Sequence, residues 1–290
     1  MKILLTGGSG FIGRNVKEYL QQKGYDVYAP THNELNCLEE EDIKMHLRTH
    51  HYDVVLHFAY HNDADGVREL SYNLRIFDNF AKHSDLYDRM IYAGSGAEYD
   101  KRFPIQMIKE TDLQERSLPV DRYGLMKYIM NQIVETSDNI YNLRIFGIFG
   151  KYEDCKRKYI SNLCCKSLKG LQLSLRQNCY FDYLWIDDFC QILEKFMKIE
   201  QPKYHVYNVA RGEKIDLLSL AHIVNEIADE KREIIVCKEG YGNEYTANTD
   251  RIMKELPNMT YTDIKLSIRQ LYRWYEERQN EIDIFPLIYG

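Results

Sequence analysis

Tyr123 and Lys127 stand four residues apart in "YGLMK", and Ser95 precedes them in "YAGSGAEY". On a helix that spacing puts both side chains on one face, a turn apart. A free phenol loses its proton only near ~10. An ammonium one turn away favours the phenolate, which brings the phenol into use as an acid and base near neutral pH. A serine hydroxyl beside it can hydrogen-bond the same carbonyl or alcohol oxygen and hold it in place. Taken alone, Tyr-x-x-x-Lys recurs by chance in a chain with 24 tyrosines and reads as a helix-surface pair. A second motif gives it weight.

That motif is "LLTGGSGFIGRNV" at residues 4–16, where Gly7, Gly10 and Gly13 recur every third residue after an apolar run. A strand, this glycine loop and a helix form a phosphate cradle. The first glycine allows a sharp turn, the second a close approach to a pyrophosphate, the third tight packing of helix on strand. The helix start adds unpaired N–H groups and a positive dipole end. The alternative is a glycine-rich turn with no ligand. Gly7, Ser9, Gly10, Phe11, Ile12, Gly13 and Arg14 are the candidate cofactor contacts. A dinucleotide held here beside Ser95, Tyr123 and Lys127 points to hydride chemistry at a sugar hydroxyl or carbonyl. The oxidised nicotinamide ring, being positive, would further favour the phenolate. After the second strand come Ala29-Pro30-Thr31-His32-Asn33, with Glu34 arriving late. No acid stands where a NAD binder usually bonds the ribose 2′-hydroxyl. NADP(H) is therefore the expected cofactor, with Arg14 for its 2′-phosphate and NAD(H) as the alternative.

The elements that position these residues alternate. Strands are expected at 2–6, 26–30, 53–59, 89–94 and 141–146, and helices at 12–20, 39–50 and about 66–83. "DRYGLMKYIMNQIVETS" sets Met126, Ile129, Met130, Ile133 and Val134 on one helical face. Strands apolar throughout imply burial on both faces, and the alternation implies parallel crossovers. The fold class is α/β: a Rossmann-like doubly wound parallel sheet over 1–150, to which segments from about 180–210 return. Residues 151–290 are expected to form mainly a smaller C-terminal α/β substrate domain. Its elements are helices at 158–169, 186–199, 216–229 and 262–279 and strands at 204–209 and 233–237.

The 290 residues carry a net charge of −6 and a pI near 5.9, which argues against a nucleic-acid partner. The N-terminal apolar run is too short for a signal peptide, and nothing reaches the ~20 apolar residues of a membrane span. Seven cysteines, odd in number and without a CxxC pair, read as reduced thiols of a cytoplasmic protein. No ligand cluster has metal-site spacing. Cys164-Cys165 read as core, and His50-His51 as surface. Lys156, Arg157 and Lys158 form a basic run that suits a diphosphate or a plain surface. The apolar tail "IFPLIYG" packs on the body or on a second subunit.

"TGGSGFIG", Asn73 in "SYNLRIFDNF", Ser95 and "YGLMK" together resemble the extended short-chain dehydrogenase/reductase superfamily, in its nucleotide-sugar epimerase/dehydratase branch. "CYFDYLWIDDF" (179–189) and "YNVARGEKIDLLSLA" (207–221) are similar to later segments of that branch, so the resemblance spans nearly the whole chain. It implies NAD or NADP on the first domain, a nucleoside-diphosphate sugar on the second, and a homodimer through the helices bearing "RIFDNF" and "YGLMK". It also implies that Asn36 and Cys37 lie near the adenine, Ala59 near the cofactor phosphates and ribose, Asn73 in the cofactor set, and Lys127 on the nicotinamide ribose.

Departures from the family pattern narrow the reaction. Its 4,6-dehydratases carry an Asp-Glu pair after the catalytic Ser/Thr, where this chain has Gly96 and Ala97. "THNELNCLEEEDI" is similar to GDP-fucose synthase and related 4-keto-sugar reductases. The epimerising Cys and His of that enzyme fall at Ala97 and near Lys158. Its pyrophosphate-binding Arg falls at Phe181, leaving Arg176, Lys158 or Arg211 to substitute. Glu98 is a further candidate for substrate, against a solvated loop acid. The implied function is NAD(P)H-dependent reduction of a keto group, at C4, of a nucleoside-diphosphate sugar. The alternatives are a 4-epimerase with retained NAD, a non-sugar carbonyl substrate, and a non-catalytic NAD(P) sensor.

Overall fold

The strand that feeds the glycine loop is apolar in every residue from Ile3 to Leu5 because both its faces are covered. In a computed structural model, which describes residues 1–62 and 66–289, Ile3 and Leu5 pack with Val54, Leu56 and Ile91 on one face of a sheet. Leu4 packs with Val55, Met90 and Tyr92 on the other.

The elements run β1 (Lys2–Thr6), α1 (Phe11–Gln22), β2 (Asp26–Tyr28), α2 (Glu40–Thr49), β3 (Tyr52–His57), α3 (Glu69–Ala81), β4 (Tyr87–Ser95), β5 (Ile105–Ile108), α4 (Arg122–Glu135), β6 (Ile140–Ile145) and β7 (Gly147–Phe149). They continue α5 (Tyr159–Leu168), β8 (Leu173–Asn178), β9 (Tyr180–Trp185), α6 (Ile186–Met197), β10 (Val206–Val209), β11 (Lys214–Asp216), α7 (Leu217–Ile227), β12 (Ile234–Tyr241), β13 (Tyr245–Ala247), α8 (Asp250–Glu255), α9 (Ile264–Glu276) and α10 (Phe285–Tyr289).

Six parallel strands lie in the order β10-β6-β4-β3-β1-β2. The chain winds outward from β1 in both directions, so a crevice opens at the carboxyl ends of β1 and β3, where such sheets bind ligands. The expected parallel sheet is present, and β10 extends it from late in the chain. The strand expected over 26–30 stops at Tyr28, where Ala29-Pro30 turns away.

Four strands not anticipated, β5, β7, β11 and β13, join β9 in a second layer of pairing. β5 pairs with β13, β13 with β9, and β9 with β7 and with β11. Each is three to six residues long. Runs that short carry little periodicity, and partners as distant as Ile105 and Tyr245 cannot be paired from local pattern. Among the described residues β8 pairs only with β12. The tail is divided: Leu287 is buried, whereas Phe285 and Ile288 are exposed, and Gly290 lies outside the described residues.

Candidate active site

Gly7 takes φ +72°, and a Cβ there would stand 2.5 Å from the Phe58 carbonyl. A Cβ on Gly13 would stand 2.1 Å from the Gly7 carbonyl oxygen. No side chain can occupy either place, so bare backbone lines the loop. Helix α1 follows from Gly10 with no side-chain cap, so its first N–H groups stay open to an anion. This cradle fits a dinucleotide pyrophosphate. Two connected hollows flank it, both bordered by Gly7, Ser9, Ala59 and Tyr60.

The first hollow, about 790 Å³, has Arg14, Lys17, Thr31, His32 and Cys37 on its walls. Arg14 lies over the Tyr152 ring at 3.7 Å and pairs with Glu18 at 3.3 Å. Glu34 folds back instead, accepting from the Thr31 N–H and hydroxyl, which hold its carboxyl below the usual range.

The second hollow, about 870 Å³, contains the chemistry. Asp121 caps α4 by accepting from the Gly124 N–H, and the helix then presents Tyr123 and Lys127 to this hollow. Lys127 is buried and donates to the Ala93 carbonyl at 2.8 Å. Desolvation brings its ammonium down to about 7, opposed by the charge of Glu98. The lysine Nζ is 5.7 Å from the Tyr123 ring centre. Tyr123 does not show the lowered phenol expected from that neighbour. Burial raises it, and the neighbouring Ser95 hydroxyl works the other way. A lysine that is itself desolvated and close to losing its proton is a weak source of field. His57, on the same wall, is pushed down to about 3 by burial and by Lys127, so it is neutral.

Ser95 ends β4 and is fastened at both backbone and side chain. Its N–H donates to Glu98 Oε1 at 3.1 Å, and its Oγ accepts from the Ala97 N–H at 3.1 Å. Beneath this turn lies a fully buried ion pair, Arg144 Nε to Glu98 Oε2 at 2.6 Å. Asn142, Asn131, Tyr99 and Asn208 complete its hydrogen bonds. Asn131 sits one turn beyond Lys127 on α4, so this network ties the helix carrying Tyr123 to the strand carrying Ser95.

Residues 3–210 match the family described as "NAD dependent epimerase/dehydratase family". The chain belongs to the NAD-dependent epimerase/dehydratase family. It is 22% identical over 259 residues to the GDP-L-fucose synthase of Azorhizobium caulinodans, spanning 81% of this chain and 83% of that one. It is similar in fold to a GDP-L-fucose synthetase from Naegleria fowleri bound to NADP, with a TM-score of 0.82, 15% identity, and 96% and 94% of the two chains covered. The UDP-glucose 4-epimerase of Thermus thermophilus in complex with NAD gives a TM-score of 0.76, 17% identity, and 95% and 99% coverage.

Within this family frame, the structure brings some of the expected residues together and not others. Gly7, Ser9, Gly10, Phe11, Ile12, Gly13, Ala59, Ser95, Tyr123, Lys127 and Lys158 share the second hollow, and Arg14 and Cys37 border the first. Asn36 turns its side chain to the Leu38 N–H. Asn73 is buried and grips the backbone of His61, which sets the loop after β3. Three substrate candidates are not on the walls of the second hollow. Glu98 is neither on a wall nor in water, because its charge is committed to Arg144. Arg176 projects from β8, which belongs to the separate ribbon with β12. Arg211 is held by Glu213 and the Thr262 carbonyl.

Lys101 and Tyr245 line the second hollow without having been singled out for it, and Arg157 lines it from the run offered for a diphosphate. Lys101 and Tyr245 reach the hollow only through the β5–β13 pairing that frames it. Among the described residues no cluster could hold a metal, and no helix is long and apolar enough to cross a membrane.

Proposed function

We propose that this chain is an NAD(P)H-dependent reductase of a keto group, at C4, of a nucleoside-diphosphate sugar. One observation carries the choice. Among the described residues, the walls of the second hollow include Ser95, Tyr123 and Lys127 but no carboxylate and no thiol. Elimination of water or inversion beside the ketone requires a group that removes a proton from carbon. Gly96 and Ala97 cannot do so, and burial keeps the phenols protonated and so unavailable as bases. Reduction requires only an acid for the oxygen and a donor to hold it. The names of the relatives, GDP-L-fucose synthase and UDP-glucose 4-epimerase, support a nucleotide-sugar substrate.

The glycine loop and the start of α1 would hold the pyrophosphate, Lys127 the nicotinamide ribose, and Arg14 a 2′-phosphate, which favours NADP(H). When bound, the nicotinamide supplies hydride. The protein does the rest. Ser95 donates to the ketone oxygen, and Tyr123, protonated because burial raises its phenol, releases its proton to that oxygen as it becomes an alkoxide. Lys127 stabilises the phenolate left behind. Lys101, Arg157 and Lys158 supply charge for the sugar diphosphate at the rim of the hollow. A C4 epimerase with retained NAD uses the same Ser, Tyr and Lys, and the 4-epimerase likeness supports that second reading.

The test is to mix the protein with NADPH or NADH and a panel of nucleoside-diphosphate 4-keto-6-deoxy sugars, following cofactor absorbance and product identity. Stoichiometric cofactor consumption with C3 and C5 unchanged is expected. Interconversion of C4 epimers without net consumption selects the second reading.

A further inference from the structure

Tyr152, in the turn between β7 and α5, holds φ +70°. A bulky residue rarely takes this left-handed backbone. Where one does, its surroundings must over-determine it, and here they do so from both sides. Asn15 of α1 is buried, and its amide donates to the Lys151 and Phe11 carbonyls, each at 2.8 Å. Glu153 is buried too, its carboxylate accepting from Ser161 Oγ at 2.6 Å and its carbonyl from Tyr275 Oη at 3.3 Å. The Tyr152 ring stands edge-on to Trp274 of α9, with centres 5.3 Å apart. None of these contacts serves the Ser–Tyr–Lys set. What they present is an aromatic face to the guanidinium of Arg14.

Arg14 borders the first hollow, and Tyr152, which is not on its walls, lies against the guanidinium at 3.7 Å. The Tyr152 hydroxyl donates to Glu18 Oε1 at 2.9 Å and to Oε2 at 3.2 Å. Glu18 in turn accepts from Arg14 Nε at 3.3 Å. This triangle has two effects. A planar guanidinium stacked on a fixed ring is ordered before any ligand arrives. A carboxylate on the same wall would otherwise compete for the guanidinium fork; the phenol keeps it on the Nε side. Among the described residues neither terminal nitrogen of Arg14 has a hydrogen-bond partner. Two such donors in a fixed plane match a phosphate. We propose that Tyr152 is a positioning residue that sets cofactor choice: through Arg14 it fixes a donor fork for the ribose 2′-phosphate and so separates NADP(H) from NAD(H). This rests on the reading that Arg14 takes the 2′-phosphate.

The experiment is a fluorescence titration with NADPH and with NADH, without sugar substrate, on the wild-type chain and four variants. Tyr152→Gly removes the ring and suits φ +70°. Tyr152→Asn, which also tolerates that backbone, is a second route to the same loss. Both are expected to weaken NADPH about tenfold, the size of a desolvated cation–π contact, with NADH affinity kept. Tyr152→Phe keeps the ring and releases Glu18, and is expected to weaken NADPH alone by about threefold. Arg14→Ala is expected to weaken NADPH alone by about thirtyfold. Losses shared equally by the two cofactors would make Tyr152 a structural residue and overturn the proposal. So would an NADPH-to-NADH ratio that survives loss of the ring but not Arg14→Ala, in which case the reading of Arg14 stands. A ratio unmoved by Arg14→Ala removes that reading and the proposal with it. Because no turnover enters, the outcome does not depend on the keto-sugar assignment.

Discussion

The two ends of the catalytic hollow are built in opposite ways. At the inner end Ser95, Tyr123 and Lys127 sit on a buried scaffold, with Glu98 and Arg144 fully enclosed and satisfied by four further side chains. At the rim Arg157 and Lys158 are exposed and make no ion pair with a described residue, and Lys101 makes only a 3.5 Å contact with Asp121. The inner end is arranged before any ligand arrives, which suits a reacting oxygen that must be placed to a fraction of an ångström. The rim supplies charge without fixed geometry, which suits attraction of a diphosphate. Chemistry should therefore be sensitive to single atoms at the inner end, and affinity should be spread over the rim.

The largest expected contrast is in turnover. Tyr123→Phe removes the acid and should lower kcat about a thousandfold while cofactor binding, followed by fluorescence titration, is kept. Retained turnover would remove the inner end from the mechanism. Next is stability. Arg144→Met leaves the Glu98 carboxylate buried and unpaired, and should destabilise the fold by about 3–5 kcal/mol in urea unfolding. Lys158→Ala should change it by less than about 0.5 kcal/mol. Equal losses would erase the distinction between the ends.

Smaller effects sharpen the comparison. Arg157→Ala and Lys158→Ala should each raise KM for the sugar nucleotide about three- to tenfold, with kcat unchanged and a steeper penalty at low salt. An effect on kcat alone would move these cations into the chemistry. Lys127 gives a pH signature of the inner end. Folding brings its proton affinity from about 10.5 down to about 7. Below about 7 both folded and unfolded chains hold the proton, and the penalty of burying the charge is complete. Between the two values the unfolded chain binds more protons, so that penalty fades as pH rises. Lys127→Met should accordingly raise the thermal midpoint at about pH 6, with the gain vanishing near about pH 10. A gain independent of pH would mean that packing, not charge, is responsible.

The sequence showed the inner end better than the rim for a physical reason. The glycine loop, Ser95 and the Tyr123–Lys127 pair each lie at a local junction of strand, turn and helix, where spacing alone fixes the geometry. Tyr245, Lys101 and the Glu98–Arg144 pair depend on strands far apart in the chain, so no local period marks them. Glu98 shows the cost of local reading. As a charge in a loop it suggested water or substrate, yet Arg144, two strand positions beyond Asn142, encloses it. Arg176 and Arg211 likewise lie off the walls of the hollow, since proximity in sequence to a substrate segment says nothing about which sheet a strand joins.

The central claim is that the hollow reduces a ketone without touching the neighbouring carbons, because its described walls carry neither a carboxylate nor a thiol to take a proton from carbon. Running the reaction in D2O with NADPH and the preferred 4-keto sugar nucleotide, and reading the product by NMR against an enzyme-free control, tests this directly. The expected product carries no enzyme-dependent solvent deuterium at C3 or C5. Enzyme-dependent deuterium at either carbon would show a base at work there and contradict the account.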